Sequence, residues 1–314
     1  MFEIRSSPEN GKGLFATQAI TLGDRLIQEK PIISLNYEED DGEEWMYRLY
    51  KEFTNLSRED QVKYRNLPHK LEHSLDKIRS YLHRRYGLKG EVLEIVAKSW
   101  NKLASIWSTN NVGLVTGRIG LLDGQEHTGV FLTHPRINHS CVPNTTWSVD
   151  DVRKTIKVTA IRDIAVGEEI TISYINTERP SHIRKADLER YSLECLCKAC
   201  SGLGKDISDQ NRQRLWELKA MFWIYEEGSE DLQEDLPADL PADRRINDNE
   251  EALKLASEFV DLLKAEGLLG VEAIHGYNRL KDYIPPADDY EGYKKANRQF
   301  MEYRRMFLDV PSGN

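Results

Sequence analysis

The 314-residue sequence has little cysteine, no long apolar run and no excess of positive charge. None of its apolar runs approaches the roughly 18 residues that a membrane-spanning helix needs, and its first residues lack the apolar stretch of about 7 residues found in a signal peptide. The 43 lysines and arginines against 52 aspartates and glutamates give a net charge of −9. This balance argues against general nucleic-acid binding, because that activity requires a basic face. We therefore expect an intracellular, monomeric protein, in the nucleus and/or the cytoplasm, with neither membrane nor nucleic-acid partners.

Only four cysteines are present, and three of them lie within six residues, as Cys195, Cys197 and Cys200. In a reducing compartment they are expected to be thiols or metal ligands and not disulfides. The spacing Cys-x-Cys-x-x-Cys can direct three thiolates at one ion, and structural zinc usually has four ligands. The fourth ligand could be Cys141 or a histidine, and simple burial of the thiols is the remaining alternative.

The hydrophobic pattern alternates between strand-like and helical stretches. Short alternating runs predict strands, whereas apolar residues at three- and four-residue steps predict amphipathic helices. Between 45 and 107 the pattern is helical, with Ser57 and Ser74 as plausible helix starts. Predicted strands fall at 24–35, 129–132, 145–149, 155–161 and 170–174, and predicted C-terminal helices at 206–226, 250–266, 271–283 and 287–307. The acidic stretch 226–251 is predicted to be a loop or linker. Small β-sheets with separate helices indicate an α+β fold.

Four short motifs follow one another along the chain. They are Gly-Lys-Gly-Leu-Phe-Ala (11–16), Asn-His-Ser-Cys-x-Pro-Asn (138–144), Gly-Glu-Glu-Ile-Thr-Ile-Ser-Tyr (167–174) and Cys-x-Cys-x-x-Cys (195–200). Each alone is weak, since the first by itself predicts only a turn before a strand. Together they make the sequence resemble the SET-domain protein lysine methyltransferases over about residues 1–203. The likeness is to the branch with a split SET domain, such as the SET-and-MYND group, but the cysteines of a MYND finger are missing.

The resemblance implies an α+β, SET-type fold of small β-sheets with a knot-like crossing of the chain. It implies a SET domain at 1–191 with a helical insertion at about 38–108, a zinc-binding post-SET segment at 192–203 and an all-helical C-terminal domain at 204–314. The likeness of this last domain to tetratricopeptide domains is architectural only, because no 34-residue repeat is present.

The resemblance also implies S-adenosylmethionine as the cofactor, one structural zinc ion and a set of site residues. The residues that would contact S-adenosylmethionine are Lys12, Gly13, Leu14, Asn110, Asn138, His139, Tyr174 and Leu193. Tyr174 and Tyr191 would be catalytic, and Phe131 with Tyr191 would line a channel for the substrate lysine. The zinc ligands would be Cys141, Cys195, Cys197 and Cys200.

The chemistry of methyl transfer explains these residue types. Transfer needs a neutral amine, whereas a free lysine, with a pKa of about 10.4, is mostly charged at neutral pH. A narrow aromatic channel lowers that pKa by desolvation and aligns nitrogen, methyl and sulfur. Tyr174 is expected to act by hydrogen bonding and electrostatics and not as a general base. We therefore expect an S-adenosylmethionine-dependent N-methyltransferase acting on a lysine-containing protein, histone or non-histone. The alternatives are a catalytically silent cofactor-binding scaffold that engages a partner through its helical C-terminal domain, and a methyltransferase for another substrate.

Overall fold

The structure is a computed structural model that describes residues 1–7, 11–36, 42–70, 73–114, 127–150, 153–227 and 245–308. The chain divides into two compact units. The first comprises Met1–Asp24, Asn138–Thr146 and Thr159–Asn314, and the second comprises Arg25–Ile137 and Trp147–Val158. This division does not test the domain boundaries expected at residues 191 and 203, which stay predictions.

The strands of the described residues form three small sheets. They are β1 (Phe2–Ser6), β2 (Lys12–Ala16), β3 (Arg25–Glu29), β4 (Ile33–Asn36), β5 (Val112–Gly113), β6 (His127–Val130), β7 (Asn138–His139), β8 (Thr145–Asp150), β9 (Thr155–Ala160) and β10 (Glu169–Ile172). The strand orders are β1-β2-β10-β7, β3-β9-β8 and β4-β6-β5. The first sheet belongs to the first unit and the third sheet to the second unit, while β3-β9-β8 lies largely in the second. The predicted class, small sheets with separate helices, is confirmed.

Four helices of the second unit occupy the stretch that is predicted to be helical. They are α1 (Glu44–Asn55), α2 (Arg58–Arg65), α3 (Leu75–Tyr86) and α4 (Gly90–Asn110). Both predicted starts are helix caps: Ser57 Oγ accepts the backbone N–H of Asp60 at 3.1 Å, and Ser74 Oγ accepts that of Lys77 at 3.4 Å. Such bonds satisfy N–H groups that have no partner within the helix.

The remaining helices belong to the first unit. They are α5 (Ser181–Glu189), α6 (Lys198–Ser201), α7 (Lys205–Glu227), α8 (Asn249–Glu266), α9 (Val271–Tyr283) and α10 (Tyr290–Leu308). Helices α7 and α8 bury a shared apolar cluster that includes Leu218, Phe222 and Phe259. Of the loop predicted at 226–251, residues 228–244 lie outside the described residues. No helix in the described part of the chain is both long enough and apolar enough to cross a membrane.

Candidate active site

The parallel pairing of β7 with β10 brings sequence motifs together. Ile172 of β10 lies opposite His139 of β7. On the other side of β10, Ile170 pairs with Leu14 of β2 in the antiparallel sense. Segments from three of the four motifs are therefore neighbouring strands of one sheet.

Asn138 is held by the carboxylate of Glu169, a residue without a predicted role. Its Nδ2 donates to Glu169 Oε1 at 2.6 Å, and Ser7 Oγ donates to Glu169 Oε2 at 2.8 Å. Only the amide nitrogen can donate to a carboxylate, so Asn138 Oδ1 is the atom left to accept a hydrogen bond. Within the described ranges no residue donates one to it.

Gly13 makes room for this pair. A Cβ at Gly13 would lie 2.1 Å from Glu169 Oε1 and 2.8 Å from Asn138 Nδ2. Neither contact is sterically possible without moving the Glu169 or Asn138 side chain. A side chain at position 13 would therefore displace the Asn138–Glu169 pair, whose members lie on β7 and β10.

Asn144, at the end of the central motif, ties that motif to β10. Its side chain is 1% exposed. Its Oδ1 accepts the backbone N–H of Thr171 at 2.8 Å, and its Nδ2 donates to the backbone carbonyl of Glu169 at 2.8 Å. The side-chain amide thus supplies the bonds that another strand residue would make, and it extends the attachment beyond the two residues of β7.

The His139 ring lies between Tyr174 and Cys141 and is 5% exposed. The backbone N–H of Tyr174 donates to Nδ1 at 3.0 Å, so the proton of the neutral ring is on Nε2. That nitrogen lies 3.3 Å from Cys141 Sγ and donates to it. Burial lowers the pKa of His139 to about 4, which keeps the ring neutral at physiological pH. Both ring nitrogens are consequently engaged within the protein.

The same bond explains why β10 is shorter than predicted. The alternation predicts a strand through Tyr174, but β10 ends at Ile172. Beyond it, the N–H of Tyr174 bonds to the imidazole, and Ser173 Oγ accepts the N–H of Ile175 at 3.2 Å. Tyr174 therefore lies just past the strand end.

The two tyrosines predicted to be catalytic are neighbours. The ring centroid of Tyr174 lies 5.4 Å from that of His139 and 5.3 Å from that of Tyr191. Burial, and then the nearby Tyr191, raise the pKa of Tyr174, so its hydroxyl stays protonated. Arg190 Nη2 donates to Tyr191 Oη at 2.9 Å, and the Arg190 guanidinium lies 4.7 Å from the centroid of the Tyr191 ring.

The four cysteines converge, as the metal-site hypothesis requires. Their Sγ atoms all lie within 4.8 Å of one another, with Cys141 and Cys200 at 3.6 Å, and none forms a disulfide. Sulfurs around tetrahedral zinc, with bonds near 2.3 Å, are separated by about 3.8 Å. The hydrogen bond with Cys141 is the main cause that lowers the pKa of Cys197. A donor set of four converging sulfurs fits zinc and favours Cys141 over a histidine as the fourth ligand.

The other predicted residues of the first unit lie close to these groups along the chain. Lys12 and Leu14 flank Gly13 on β2, and Leu14 is fully buried. Leu193 follows Tyr191 closely, and its N–H donates to the Leu188 carbonyl at 3.3 Å.

Two predicted residues belong to the second unit. Asn110 Nδ2 donates to the carbonyls of Pro68 and Ile106, both at 2.7 Å. Phe131 is 0% exposed, in a core cluster with Val149 and Ile156. The cofactor role of Asn110 and the channel role of Phe131 stay predictions.

Comparison with known families identifies the domain that contains most of these groups. Residues 11–175, more than half of the chain, match the model of the SET domain. The chain belongs to the SET-domain family. This confirms the family that the ordered motifs indicate, and the SET match ends just after Tyr174.

Individual relatives match over a shorter stretch. The chain is 39% identical over 80 residues to histone-lysine N-methyltransferase SET5 of Meyerozyma guilliermondii, and 42% identical over 79 residues to protein-lysine N-trimethyltransferase SMYD5 of Homo sapiens. Each match covers 24% of this chain but only 17% and 19%, respectively, of the relative, so the chain spans less than a fifth of either. A solved structure of the SET domain of LSMT bound to lysine and AdoHcy aligns over 98% of this chain and 85% of that chain, with 13% identity and a TM-score of 0.38.

Two site residues, Glu169 and Asn144, lie inside the quoted motifs but have no role in the sequence-based prediction. Each acts through a bond to another strand, and the order of motifs along a chain does not reveal such bonds. One signal was available: two glycines flank Lys12, and glycine allows another group to approach the backbone closely.

Proposed function

We propose that the chain is an S-adenosylmethionine-dependent protein-lysine N-methyltransferase. The observation that carries the proposal is the convergence of the Asn138–Glu169 pair, the His139 ring and two tyrosines at the end of β10, in a chain of the SET-domain family. The names of the two curated relatives, both lysine methyltransferases, support the same activity.

S-adenosylmethionine would supply the methyl group from its sulfonium sulfur. Asn138 and Glu169 suit the amino-acid end of this cofactor. The amino-acid end of that molecule carries an ammonium group. Asn138 Oδ1 can accept a hydrogen bond from it, and the Glu169 carboxylate beside Asn138 favours a cation. The tight packing at Gly13 holds both side chains in place.

The family resemblance supplies the rest of the proposed cofactor site. Its members are Lys12, Gly13, Leu14, Asn110, His139, Tyr174 and Leu193, as the family resemblance implies. Because both ring nitrogens of His139 are engaged, its contact with the cofactor would come from its backbone or its ring face.

Tyr174 and Tyr191 are the proposed catalytic pair. Since burial raises the pKa of Tyr174, its hydroxyl contributes a hydrogen bond and a dipole and does not remove a proton. The substrate lysine is proposed to lose its proton to water on entering a desolvated channel, for which the family resemblance implies Tyr191 and Phe131. The Arg190 guanidinium, which is bonded to Tyr191, disfavours a second cation nearby and so also favours the neutral form of the lysine.

The cysteine cluster is proposed to hold one structural zinc ion through Cys141, Cys195, Cys197 and Cys200. Metal binding of this kind contributes directly to folding free energy. The zinc ion would hold the post-SET segment, 192–203, against the central motif, 138–144. We also propose that this motif and the end of β10 form the predicted knot-like crossing. The proposed substrate is a lysine-containing protein, and the acidic net charge of −9 suits a basic segment around the lysine.

A labelled-methyl assay tests the proposal. Purified protein is incubated with a cell extract and S-adenosylmethionine carrying a tritiated methyl group. Tyr174→Phe is assayed in parallel, with Tyr290→Phe, at an exposed residue of α10, as the matched control. Wild type and Tyr290→Phe should label protein, whereas Tyr174→Phe should be slower by about 10²-fold or more. Calorimetry should show similar cofactor affinity for all three. Cofactor binding without any transfer by the wild type would favour the silent scaffold.

A further inference from the structure

Arg212 of α7 contacts both backbone segments that carry the candidate site, although it lies outside every motif. Its side chain is 0% exposed. Nη2 donates to the carbonyl of Cys141 at 2.9 Å, and Nη1 donates to the carbonyl of Thr177. Cys141 lies two residues after His139, and Thr177 lies three residues after Tyr174. One guanidinium therefore joins the two segments.

The guanidinium is in turn anchored on α8. Arg212 Nε donates to Glu266 Oε2 at 2.9 Å, and Asn211 Nδ2 donates to Glu266 Oε1 at 2.8 Å. Glu266 is the last residue of α8 and is 7% exposed. A carboxylate is unfavourable at the carbonyl end of a helix, so it needs these donors. Glu266 and its donors thus fix the direction in which Arg212 faces.

Helix α7 reaches the same segment at a second point. Lys219 Nζ donates to Glu178 Oε2 at 2.6 Å, next to Thr177. Arg212 and Lys219 are two helical turns apart and so share one face of α7. This face therefore holds the segment that follows Tyr174 at two neighbouring residues.

We propose that Arg212 is a positioning residue for methyl transfer, through which α7 and α8 keep the Cys141 and Thr177 segments in register. The inference rests on the proposed function and gives the C-terminal helices a role in it. Arginine presents five N–H donors in a rigid fork, so it can bond two carbonyls and a carboxylate together. Lysine keeps the charge, but its three N–H donors lie on one nitrogen and cannot span two carbonyls and a carboxylate, so Arg212→Lys removes the bridge.

Arg214→Lys is the matched control. Arg214 also lies on α7 and bonds to α8, with Nε and Nη2 at 2.7 and 3.0 Å from the Glu258 carboxylate. Its described bonds do not include the Cys141 or Thr177 carbonyl. Both variants therefore disturb an ion pair between the same helices, but only Arg212→Lys releases the site segments.

Two measurements on the full-length protein test the proposal. In Arg212→Lys, the rate of labelled methyl transfer to cell-extract protein at saturating S-adenosylmethionine should fall at least tenfold, with the KM for S-adenosylmethionine changed less than threefold. Arg214→Lys should stay within twofold of wild type in both quantities. Amide hydrogen exchange should become at least tenfold faster in peptides covering 138–144 and 172–178 in Arg212→Lys, and should be unchanged there in Arg214→Lys.

Unchanged hydrogen exchange and an unchanged transfer rate in folded Arg212→Lys, or equal effects of the two variants, would overturn the proposal. If Arg212→Lys does not fold, Glu266→Gln takes its place, because it weakens the anchor and leaves both carbonyl bonds possible. In Glu266→Gln, acceleration of exchange in the same two peptides, smaller than the tenfold expected for Arg212→Lys, supports the positioning role. Acceleration confined to α8 overturns it. Hydrogen exchange can be measured whether or not the protein transfers methyl groups. An inactive wild type would therefore refute the proposed function, and the exchange comparison would still test the contacts of Arg212.

Discussion

His139→Asn and His139→Gln are expected to separate the two hydrogen bonds of one ring. The asparagine oxygen is bonded to Cγ, as Nδ1 is, so it can accept the N–H of Tyr174 but leaves nothing near Cys141 Sγ. The glutamine nitrogen is one bond further out, as Nε2 is, so it can donate to that sulfur. In the glutamine variant the Tyr174 N–H loses its acceptor.

The sizes of the two effects follow from the kind of bond lost. A buried N–H without an acceptor costs about 1–3 kcal/mol. If the loss displaces Tyr174 and raises the activation free energy by the same amount, the transfer rate of His139→Gln falls by about 5- to 150-fold. Losing a hydrogen bond to a metal ligand weakens metal affinity by about 10- to 100-fold, which is the effect expected for His139→Asn.

The assay pairs initial rates with metal competition. Rates of labelled methyl transfer are measured at saturating cofactor with excess zinc, and zinc affinity is measured against a chromogenic chelator. His139→Gln should lose rate and keep zinc, and His139→Asn should lose zinc affinity and keep most of its rate. Two variants that change the same quantity to the same extent would refute the division of the ring between Tyr174 and Cys141.

Three further outcomes are expected. Gly13→Ala, whose Cβ would lie 2.1 Å from Glu169 Oε1, should weaken S-adenosylmethionine binding about tenfold in calorimetry, whereas Gly204→Ala, with nothing within 4 Å, should not; equal affinities would contradict the packing argument. The purified protein should contain about one zinc ion per chain by native mass spectrometry and melt at a lower temperature after chelation; a metal-free protein with an unchanged melting temperature would exclude the site. Burial lowers the pKa of His134 to about 4 from the ordinary 6.5, so the stability its neutral ring contributes is complete above pH 6.5 and falls by about 3 kcal/mol as the pH drops towards 4. Urea unfolding of His134→Gln should show a flatter pH dependence in that window, and an identical dependence would count against this assignment.

The helices could be predicted because their signals are local. The predicted stretches 250–266 and 271–283 differ by at most one residue from α8 and α9. Apolar spacing along one face, with a capping residue before it, specifies such a helix without knowledge of its neighbours. Ser57 and Ser74 confirm this for the helices of the second unit.

The site could be predicted as a set of motifs but not as a network of bonds. The order of the motifs indicated the family, and the spacing of the cysteines indicated a metal site, which the converging sulfurs fit. The Asn138–Glu169 bond joins residues 31 positions apart, and the Arg212–Cys141 bond joins residues 71 positions apart. Pairings over such distances depend on how the strands and helices pack, and one sequence does not specify that packing.

The most direct test of the central claim identifies the atom that receives the methyl group. The purified chain is incubated with a cell extract and S-adenosylmethionine carrying a trideuterated methyl group, and the digested proteins are analysed by mass spectrometry. The account predicts deuterated methyl groups on lysine side-chain nitrogens, which Tyr174→Phe strongly reduces. Deuterated methyl groups found only on other residue types or small molecules, or none transferred by a folded chain that binds the cofactor, would contradict it.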